Sequence, residues 1–323
     1  MSAHALDKDL DAVAVSARAE LVRAIARSGA WDADPGWRAV FEAVPRHLFV
    51  PYYYVGAADG HGYERVWRGS PDPCARERWL RGAYADVPLA TRLRDGELVS
   101  SSSQPSLMAR MLAELRVTDG DRVLEIGAGT GYNAALLAHR LGDDLVTTVD
   151  LEPEITESAR THLADAGYHP TVVTGDGTRG VPEHAPYDRI VATCALTSIP
   201  PAWPAQCSPG ARILAPLATG LIALTVRDAA HAEGTFLHTA AYFVPLRGTE
   251  PTSPPETPHH PGDHELLRFL LTLTHGTLDP GEARELWERE GRPGRERYGI
   301  TLAGEQAWAW LDTPEGRYTW PLR

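Results

Sequence analysis

Between residues 123 and 132 the chain reads Val-Leu-Glu-Ile-Gly-Ala-Gly-Thr-Gly-Tyr, and this stretch decides the fold. The apolar residues before Gly127 predict a buried strand, and the residues after Gly131 predict a helix. Glycines at 127, 129 and 131 fall in the turn between the two, where backbone without side chains can approach a ligand closely. A dinucleotide-binding turn would place its third glycine at position 132, which is Tyr132 here. A turn with no ligand is the alternative for a single glycine-rich segment.

Two acidic positions further along the chain favour a ligand site. Asp150 stands where the next predicted strand ends, and there its carboxylate can accept hydrogen bonds from both hydroxyls of a ribose. The second acid, Asp176 in the pair Asp176-Gly177, follows the next strand and can face the amino group of adenine. The Glu-x-Gly-x-Gly-x-Gly spacing of residues 125–131 resembles the first motif of class I methyltransferases, which implies S-adenosylmethionine as cofactor and S-adenosylhomocysteine as product. The cofactor-binding residues that the resemblance implies are Glu125, Gly127, Gly129, Gly131, Asp150, Leu151, Asp176 and Gly177.

Strand and helix patterns alternate from residue 119 onward. Helices are predicted near residues 133–141 and 153–166. Strands are predicted near residues 122–126, 145–149, 171–174, 188–193, 211–216 and 221–227. Such alternation predicts an α/β fold with a doubly wound, mainly parallel sheet. Together with the glycine motif it indicates the Rossmann-like fold of class I methyltransferases, followed by a small C-terminal α+β module.

The segments that flank this core are less regular. Helical spacing predicts a helix over residues 10–30 and a short one around 37–41, whereas residues 56–82 predict an inserted, partly ordered loop region. C-terminal helices and strands are expected at 265–273, 280–290, 307–311 and 318–322. The predicted domains are N-terminal helices and loops that cap the site (1–95), a cofactor-binding catalytic domain (96–248), a proline-rich linker (249–263) and a peptide-binding module (264–323).

Composition excludes several function classes. The 31 Lys and Arg residues against 43 Asp and Glu give a formal net charge of −12. Because no basic stripe accompanies that charge, neither DNA nor RNA is expected as a partner. No apolar run reaches about 18 residues and the N-terminus has no signal-peptide pattern, so no membrane partner is expected. Three cysteines without metal-type spacing indicate free thiols in a reducing cytoplasm.

Three histidines invite a metal interpretation. His259, His260 and His264 lie in the proline-rich segment without a cysteine or carboxylate at fixed spacing. Structural and catalytic zinc sites draw their ligands from closely defined spacings. We therefore interpret these histidines as solvated and predict no metal site.

Motifs outside the glycine turn resemble the protein-L-isoaspartate O-methyltransferase family. Residues 44–51 read VPRHLFVP and are similar to the N-terminal signature of that family. The run Ser103-Gln104-Pro105 is similar to the segment that precedes its first motif. Residues 186–191 (PYDRIV) resemble its fourth strand, and residues 243–246 (FVPL) resemble its closing strand. The resemblance covers the chain from about residue 10 to about residue 247.

The resemblance implies methyl transfer to a carboxylate. An ionised carboxylate attacks the sulfonium methyl without a general base, so alignment and exclusion of water account for most of the catalysis. The family's carboxylate-orienting serine maps onto Ser103, and Ser101 stands at its threonine position. These two are the predicted catalytic residues, although four consecutive serines alone would read as a solvated loop. Substrate contacts are expected from Ser102, Gln104 and Cys194, where Cys194 is interpreted as a buried small residue rather than a nucleophile.

Three features depart from the family pattern. Residues 94–103 read RDGELVSSSS where repair enzymes have Gly-x-Gly-x-Thr-Ile-Ser. The insertion at 56–82 and the segment after 249 are additional. Together they resemble a branch encoded beside ribosomally made peptides, the lanthipeptides and graspetides. In that branch an aspartate of a macrocyclised peptide is methylated, and the ester closes to an aspartimide or isoaspartate.

The sequence therefore favours a peptide-tailoring carboxyl O-methyltransferase. The alternative is a protein-L-isoaspartate O-methyltransferase that acts in repair of damaged proteins. Methylation of nitrogen is disfavoured because residues 192–196 read ATCAL, without an Asn-Pro-Pro-Tyr signature. The insertion and the C-terminal module are expected to select the peptide. The aromatic residues Trp308, Trp310, Tyr318 and Trp320 either line a binding face or fill a small core.

Overall fold

A computed structural model describes residues 3–57, 62–247, 265–274 and 277–322 of the chain. The helices are α1 (Ala3–Arg27), α2 (Trp37–Ala43), α3 (Pro73–Ala83), α4 (Pro105–Leu115), α5 (Tyr132–Leu141), α6 (Pro153–Asp165), α7 (Glu265–Thr274) and α8 (Pro280–Arg289). The strands are β1 (Tyr52–Gly56), β2 (Tyr63–Trp67), β3 (Leu89–Arg94), β4 (Glu97–Ser102), β5 (Val123–Ile126), β6 (Val146–Asp150), β7 (Thr171–Thr174), β8 (Tyr187–Ala192), β9 (Cys207–Leu217), β10 (Gly220–Asp228), β11 (His231–Ala240), β12 (Tyr298–Ala303), β13 (Gln306–Leu311) and β14 (Thr319–Leu322). None of the described helices combines the length and the apolar character that crossing a bilayer requires.

The chain divides into two units. The first unit contains residues 1–120 and 128–174, and the second contains residues 121–127 and 175–323. In the first unit an antiparallel sheet has the strand order β2-β1-β3-β4, and β6 pairs with β7 in parallel. Helices α1 to α6 also belong to this unit.

The prediction of a partly ordered loop over residues 56–82 is wrong. The chain there forms the hairpin β1–β2 followed by the helix α3. The start of α3 is locally encoded: the Asp72 carboxylate accepts hydrogen bonds from the backbone N–H groups of Cys74 and Ala75, and Pro73 occupies the first turn. An aspartate cap followed by proline is a standard helix-start signal.

In the second unit the strands follow the order β14-β13-β12-β11-β10-β9-β8-β5. Strands β5, β8 and β9 run parallel, and every strand from β10 to β14 pairs antiparallel with its neighbour. All four residues of β5 are buried, as expected for a strand covered on both faces. The parallel strands and the helices between them agree with the predicted α/β core.

The closing strand is placed differently from the prediction. The sequence placed it at residues 243–246, where the structure has no strand; the strand that precedes these residues is β11, His231–Ala240. Residues 243–246 contribute one isolated bridge, between Ala195 and Pro245. Pro245 has no N–H to donate to a neighbouring strand, which limits pairing at that position. The predicted linker, residues 249–263, lies outside the described residues.

The C-terminal strands continue the sheet of the second unit. Residues Ala232 to Gly234 of β11 pair with residues 300–302 of β12, a strand that the sequence did not indicate. Gly299 weakens the strand pattern of β12, yet a Cβ there would lie 2.2 Å from the Trp310 ring. The ring of Phe269, on α7, lies 4.9 Å from the ring of Phe236 on β11. The C-terminal elements therefore share one core with β10 and β11.

Candidate active site

The serines that the sequence singled out lie at the end of strand β4. Ser101 pairs with Ala90 of β3, and Ser100 pairs with Arg92 after a bulge. The side chains of Ser101 and Ser103 are half-buried, and neither hydroxyl has a hydrogen-bond partner among the described residues. A strand, rather than a free loop, thus presents the predicted catalytic serines.

Ser102 faces the opposite side of the strand and is buried. Its hydroxyl accepts a hydrogen bond from the Arg46 guanidinium at 3.2 Å. Gln104 comes directly before α4, and its side-chain amide donates to the Ser106 hydroxyl at 3.0 Å. The two predicted substrate contacts in this stretch, Ser102 and Gln104, therefore already have partners within the first unit.

Arg46 is the residue that fixes the serine segment in place. It is fully buried. Its Nη2 atom donates to the carbonyl oxygens of Ser102 (3.3 Å) and Ser103 (3.1 Å), and Nη1 donates to those of Ala83 (2.9 Å) and Ala85 (3.1 Å). Burial without a carboxylate partner lowers the pKa of Arg46 to about 10, which still leaves it protonated at neutral pH. The sequence indicated only the VPRHLFVP signature and did not reveal this role. The signal was an arginine inside an otherwise apolar run.

The glycine turn faces the serine strand within the first unit. Gly129 has φ +50° and Gly131 has φ +84°, a region that only glycine adopts without strain. A Cβ at Gly129 would lie 3.5 Å from the carbonyl oxygen of Ser101. A Cβ at Gly131 would lie 3.2 Å from the Ala159 carbonyl oxygen of α6. These glycines let the turn lie close to the serine strand and to α6.

Asp150 supports the same turn. It is the last residue of β6, and its Oδ2 atom accepts a hydrogen bond from the Gly129 N–H at 3.2 Å. Leu151 follows and is exposed. A carboxylate at the end of a parallel strand, beside a glycine-rich turn, is the arrangement that binds the ribose of a nucleotide.

A small cavity separates the serine strand from the turn and from α6. Its volume is about 50 Å³, and its lining includes Tyr52, Arg92, Ser100, Gly129 and His162. Such a volume accommodates a few water-sized groups. The first unit thus brings Ser100, the first of the four consecutive serines, together with Gly129, a position that the sequence assigned to the cofactor.

His162 is the histidine on the wall of this cavity. Its Nδ1–H donates to the carbonyl oxygen of Thr130 at 3.0 Å. Burial lowers the pKa of His162, and the nearby Arg68 guanidinium acts in the same direction, against the opposing effect of the hydrogen bond. His162 is therefore neutral at pH 7 and serves to orient the turn at Thr130. The sequence did not single it out.

Two ion pairs hold β3 against the start of α6. Arg92 pairs with Glu154, and Arg94 pairs with Glu152 at 2.7 Å. Both arginines lie on β3, which pairs with the serine strand β4. Glu152 directly precedes α6. These contacts tie the serine hairpin to the element that follows Asp150.

The remaining predicted cofactor residues belong to the second unit. Glu125 is buried within β5. Gly127 has φ +102°, and its carbonyl oxygen accepts a hydrogen bond from the Thr193 hydroxyl at 2.8 Å. A Cβ at Gly127 would lie 2.8 Å from that hydroxyl oxygen. Only glycine therefore fits at this position.

Asp176 and Gly177 form a tight turn after β7. The Oδ1 atom of Asp176 accepts hydrogen bonds from the N–H (2.9 Å) and the hydroxyl (2.8 Å) of Thr178. A Cβ at Gly177 would lie 2.7 Å from Ile126, and the Trp203 indole N–H donates to the Gly177 carbonyl. This geometry fixes the direction of the Asp176 carboxylate.

Cys194 is buried in the second unit. Its thiol donates weakly to the carbonyl oxygen of Ile126, with an Sγ–O distance of 3.7 Å. This agrees with the interpretation of a small packed residue. Among the described residues no group of three or more His, Cys, Asp or Glu side chains has an arrangement that would hold a metal ion. His259, His260 and His264 lie outside the described part of the chain.

The residues present fit S-adenosylmethionine. The turn at Gly129 has a left-handed backbone and a space that a Cβ would fill, and the Asp150 carboxylate lies beside it. Of the predicted cofactor residues, the first unit contains Gly129, Gly131, Asp150 and Leu151. The second unit contains Glu125, Gly127, Asp176 and Gly177. Their role in holding the cofactor stays a prediction.

Comparisons with known proteins identify the family. A sequence model of the protein-L-isoaspartate(D-aspartate) O-methyltransferase family matches residues 73–250. A protein-L-isoaspartate O-methyltransferase of Methanococcoides burtonii is 34% identical over 235 residues, which cover 71% of this chain and 98% of that protein. Protein-L-isoaspartate O-methyltransferase 1 of an Anaeromyxobacter species is 35% identical over 72% of this chain and 97% of its own length.

Solved structures show the same fold. One protein-L-isoaspartate O-methyltransferase aligns with a TM-score of 0.64 at 22% identity, covering 92% of this chain and all of the other. A Plasmodium falciparum protein described as a putative protein-L-isoaspartate O-methyltransferase, in complex with S-adenosyl-L-homocysteine, aligns with a TM-score of 0.52 at 15% identity, covering 71% and 97%. The predicted Rossmann-like class I methyltransferase fold is confirmed. The family match covers more than half of the sequence, so the chain belongs to the protein-L-isoaspartate O-methyltransferase family of S-adenosylmethionine-dependent carboxyl methyltransferases.

Proposed function

We propose that this enzyme methylates the side-chain carboxylate of an isoaspartyl residue in a protein or peptide. The observation that carries the proposal is the position of the serine strand against the glycine turn, where a Cβ at Gly129 would lie 3.5 Å from the Ser101 carbonyl oxygen. The family relationship and the identity of about one third to isoaspartate methyltransferases support the same assignment. This reverses the order in which the sequence alone ranked its two candidates.

The serine segment beside the cavity explains how a carboxylate is handled. When bound, S-adenosylmethionine supplies a methyl group on a positively charged sulfur. The substrate carboxylate is ionised at neutral pH, so no base has to remove a proton. The hydroxyls of Ser101 and Ser103 have no partner among the described residues and are available to donate hydrogen bonds to the carboxylate oxygens. A cavity of about 50 Å³ beside Ser100 matches a group of this size.

Two features of the chain keep this alignment rigid. Arg46 holds the carbonyl oxygens of Ser102 and Ser103 from the buried side of the strand. The ion pairs of Arg92 and Arg94 hold the neighbouring strand against α6. A reaction that depends on alignment benefits from positions fixed to within a fraction of an ångström.

A second candidate is methylation of an ordinary aspartate in a macrocyclised ribosomal peptide. Two structural observations favour it. The segment before the serines is a bulged hairpin of β3 and β4 with a turn at Asp95 and Gly96, and the inserted hairpin β1–β2 lies beside it in the same sheet. In this candidate the segments 1–95 and 264–323 add substrate-contacting surface to the catalytic segment 96–248. The enzyme would work in the cytoplasm, in agreement with three free cysteines.

One experiment separates the two candidates. The enzyme and labelled S-adenosylmethionine are incubated with a linear isoaspartyl peptide and, in parallel, with a constrained cyclic peptide that contains aspartate. Mass spectrometry follows the gain of a methyl group and the later loss of methanol as a succinimide closes. Methylation of the linear peptide supports the isoaspartate assignment. Methylation of the cyclic peptide alone supports the tailoring assignment, and label in neither peptide contradicts both.

Variants of the serine strand test the site itself. Ser101→Ala and Ser103→Ala are each expected to lower kcat/KM about tenfold or more, since each removes a hydrogen bond to the reacting carboxylate. Ser102→Ala is the internal comparison because its hydroxyl faces Arg46. We expect Ser102→Ala to lower the free energy of unfolding and to leave kcat close to the wild-type value. Equal kinetic losses in all three variants would contradict the assignment of Ser101 and Ser103.

A further inference from the structure

The inserted hairpin presents an open face made of aromatic rings and one arginine. The register of β1 and β2 places Tyr52 opposite Trp67, Tyr54 opposite Arg65, and Gly56 opposite Tyr63. Directly opposite residues of an antiparallel pair share one face of the sheet. Tyr63 is 53% exposed and Trp67 is 40% exposed. We call the set Tyr52, Tyr54, Tyr63, Arg65 and Trp67 the aromatic face.

The opposite side of the hairpin is packed, which fixes the orientation of the aromatic face. Tyr53 and Val66 are buried. The Tyr53 hydroxyl donates to the carbonyl oxygen of Arg78 on α3, and the Arg78 guanidinium forms a bidentate ion pair with Glu64. A slip of one residue would move every side chain to the wrong face. The register of β1 and β2, which buries Tyr53 and Val66, therefore leaves the aromatic face on the open side of the sheet.

The aromatic face is in register with the serine strand. Arg65 pairs with Tyr54, Tyr54 pairs with Ala90 of β3, and Ala90 pairs with Ser101 of β4. These four residues form one row across the sheet, on the same face. Neighbouring strands lie about 4.8 Å apart, so roughly 14 Å separates the backbone at Ser101 from that at Arg65. Extended chain advances about 3.3 Å per residue, so roughly four residues of a bound peptide would span this distance.

Arg65 is placed to receive a negative charge. Its guanidinium lies 4.3 Å from the centre of the Tyr52 ring and 5.6 Å from that of Trp67. Among the described residues no carboxylate lies within ion-pair distance of it. The aromatic contacts hold the arginine side chain in place, and this reduces the entropy lost when it binds a partner.

The aromatic face is also continuous with the candidate active site. Tyr52 lines the cavity that contains Ser100 and Gly129, and the same Tyr52 ring lies under Arg65. Because Tyr52 belongs both to the wall of this cavity and to the aromatic face, a chain whose carboxylate enters the cavity can continue past the Tyr52 ring onto that face. The occupant that the position indicates is thus the flanking part of the substrate, and not an unrelated protein.

We propose that the aromatic face binds the substrate peptide next to the methyl-accepting residue and that Arg65 selects an acidic side chain roughly four residues away from it. The proposal rests on the proposed function, because it takes the residue at Ser101 to be the acceptor. It applies equally to an isoaspartyl peptide and to a constrained peptide. An exposed aromatic surface with an arginine is typical of sites where a few residues supply most of the binding energy.

The test uses one isoaspartyl peptide in matched forms. Glu, Gln or Lys is placed four residues before the isoaspartate in one series and four residues after it in another. The wild-type enzyme is compared with Arg65→Glu, and with Arg23→Glu as control, since Arg23 is an exposed arginine on α1 of the same unit. Each combination of enzyme and peptide is measured in two ways. One measurement is kcat/KM for methylation, and the other is the affinity for the peptide by fluorescence anisotropy with S-adenosylhomocysteine present. Thermal unfolding confirms that both variants are folded.

We expect the wild type to prefer Glu over Lys about fivefold in one of the two series, as an exposed charge pair allows. The preference should lie in KM, because the contact is far from the reacting atoms. Arg65→Glu should reverse it, and Arg23→Glu should leave it unchanged. The same preference in the wild type and in Arg65→Glu would overturn the inference. If no peptide is methylated, the proposed function fails, and the binding data alone then decide whether Arg65 reads the charge.

Discussion

Replacement of Arg46 by alanine is the most demanding test of how the serine segment is held. The change removes a charged donor from four backbone carbonyl oxygens, those of Ala83, Ala85, Ser102 and Ser103. An unsatisfied buried acceptor costs about 1–3 kcal/mol, so the four together cost about 6 kcal/mol. The variant also no longer carries a desolvated charge. Burial lowers the pKa of Arg46 from 12.5 to about 10. At about 1.4 kcal/mol per pKa unit, removal of the buried charge therefore recovers about 3 kcal/mol of the free energy of unfolding.

The expected loss in the free energy of unfolding is therefore about 3 kcal/mol for Arg46→Ala. Arg46→Lys keeps the charge, but one ammonium group replaces a fork that serves carbonyls on two segments. We expect Arg46→Lys to lose about half as much. Urea unfolding at pH 7, followed by tryptophan fluorescence, measures both. Arg38→Ala is the control because Arg38 is exposed and, within the described part of the chain, its side chain pairs only with Glu42, so its effect should stay within about 0.5 kcal/mol.

Kinetics add a second readout for Arg46. If the guanidinium positions Ser103, then Arg46→Lys should lower kcat/KM for an isoaspartyl peptide about tenfold at a temperature where the variant is fully folded. Affinity for S-adenosylhomocysteine should stay near the wild-type value. A stability loss below about 1 kcal/mol in Arg46→Ala would refute the reasoning. It would mean that water or rearranged backbone satisfies the four carbonyl oxygens without the arginine.

Three further changes test other parts of the structure. Asp150→Asn should weaken S-adenosylmethionine binding about tenfold or more in calorimetry, since hydrogen bonds to a charged acceptor contribute about 1.5–3 kcal/mol. Asp144→Asn, at an exposed position, is the control and should leave the affinity unchanged. The lowered pKa of His162 means that the unfolded chain binds a proton more readily, so stability falls as the pH drops below about 6.5. His162→Gln should flatten that decline in urea unfolding, and an unchanged slope would contradict it. Phe269→Ala should lower the free energy of unfolding by about 3–5 kcal/mol, and the second unit should still unfold in one cooperative transition. Leu271→Ala, at a half-buried position of the same helix, should lower it less.

Local patterns predicted the catalytic core of the fold well. The glycine turn, β5 and α5 follow from residues 123–141 alone, because buried strands read as apolar runs and the turn needs glycine. The same reasoning located β6, α6 and β7 to within a few residues. These elements are determined by residues close to one another in the chain, so they can be predicted from the sequence.

The inserted hairpin was missed for a physical reason. In β2 the residues Tyr63 and Trp67 are exposed, whereas Val66 is buried. Large aromatic residues on the solvent side remove the alternation of apolar and polar residues that marks a half-buried strand. A pattern that contradicts ordinary burial is expected where a surface has a function.

The anchoring role of Arg46 could not be read from the sequence either. Its partners lie 37 to 57 positions further along the chain, and they are carbonyl oxygens, which every residue possesses. Nothing in the identity of Ala83 or Ser103 indicates an arginine. Only the tertiary fold, which brings the end of α3 and the end of β4 to one place, defines the contact.

The C-terminal segment illustrates how structure changes the choice of experiment. As a separate module, it could be deleted to test for a role in peptide recognition. However, β12 pairs with β11, and Phe269 packs on Phe236, so a deletion would expose a sheet edge and part of the core. Trp310 and Trp320 are buried, which agrees with the core interpretation of the aromatic residues. Loss of activity after deletion would then follow from destabilisation alone. Substitutions of exposed residues that leave the core intact, such as Arg65→Glu, give the sharper test of how this enzyme chooses its peptide.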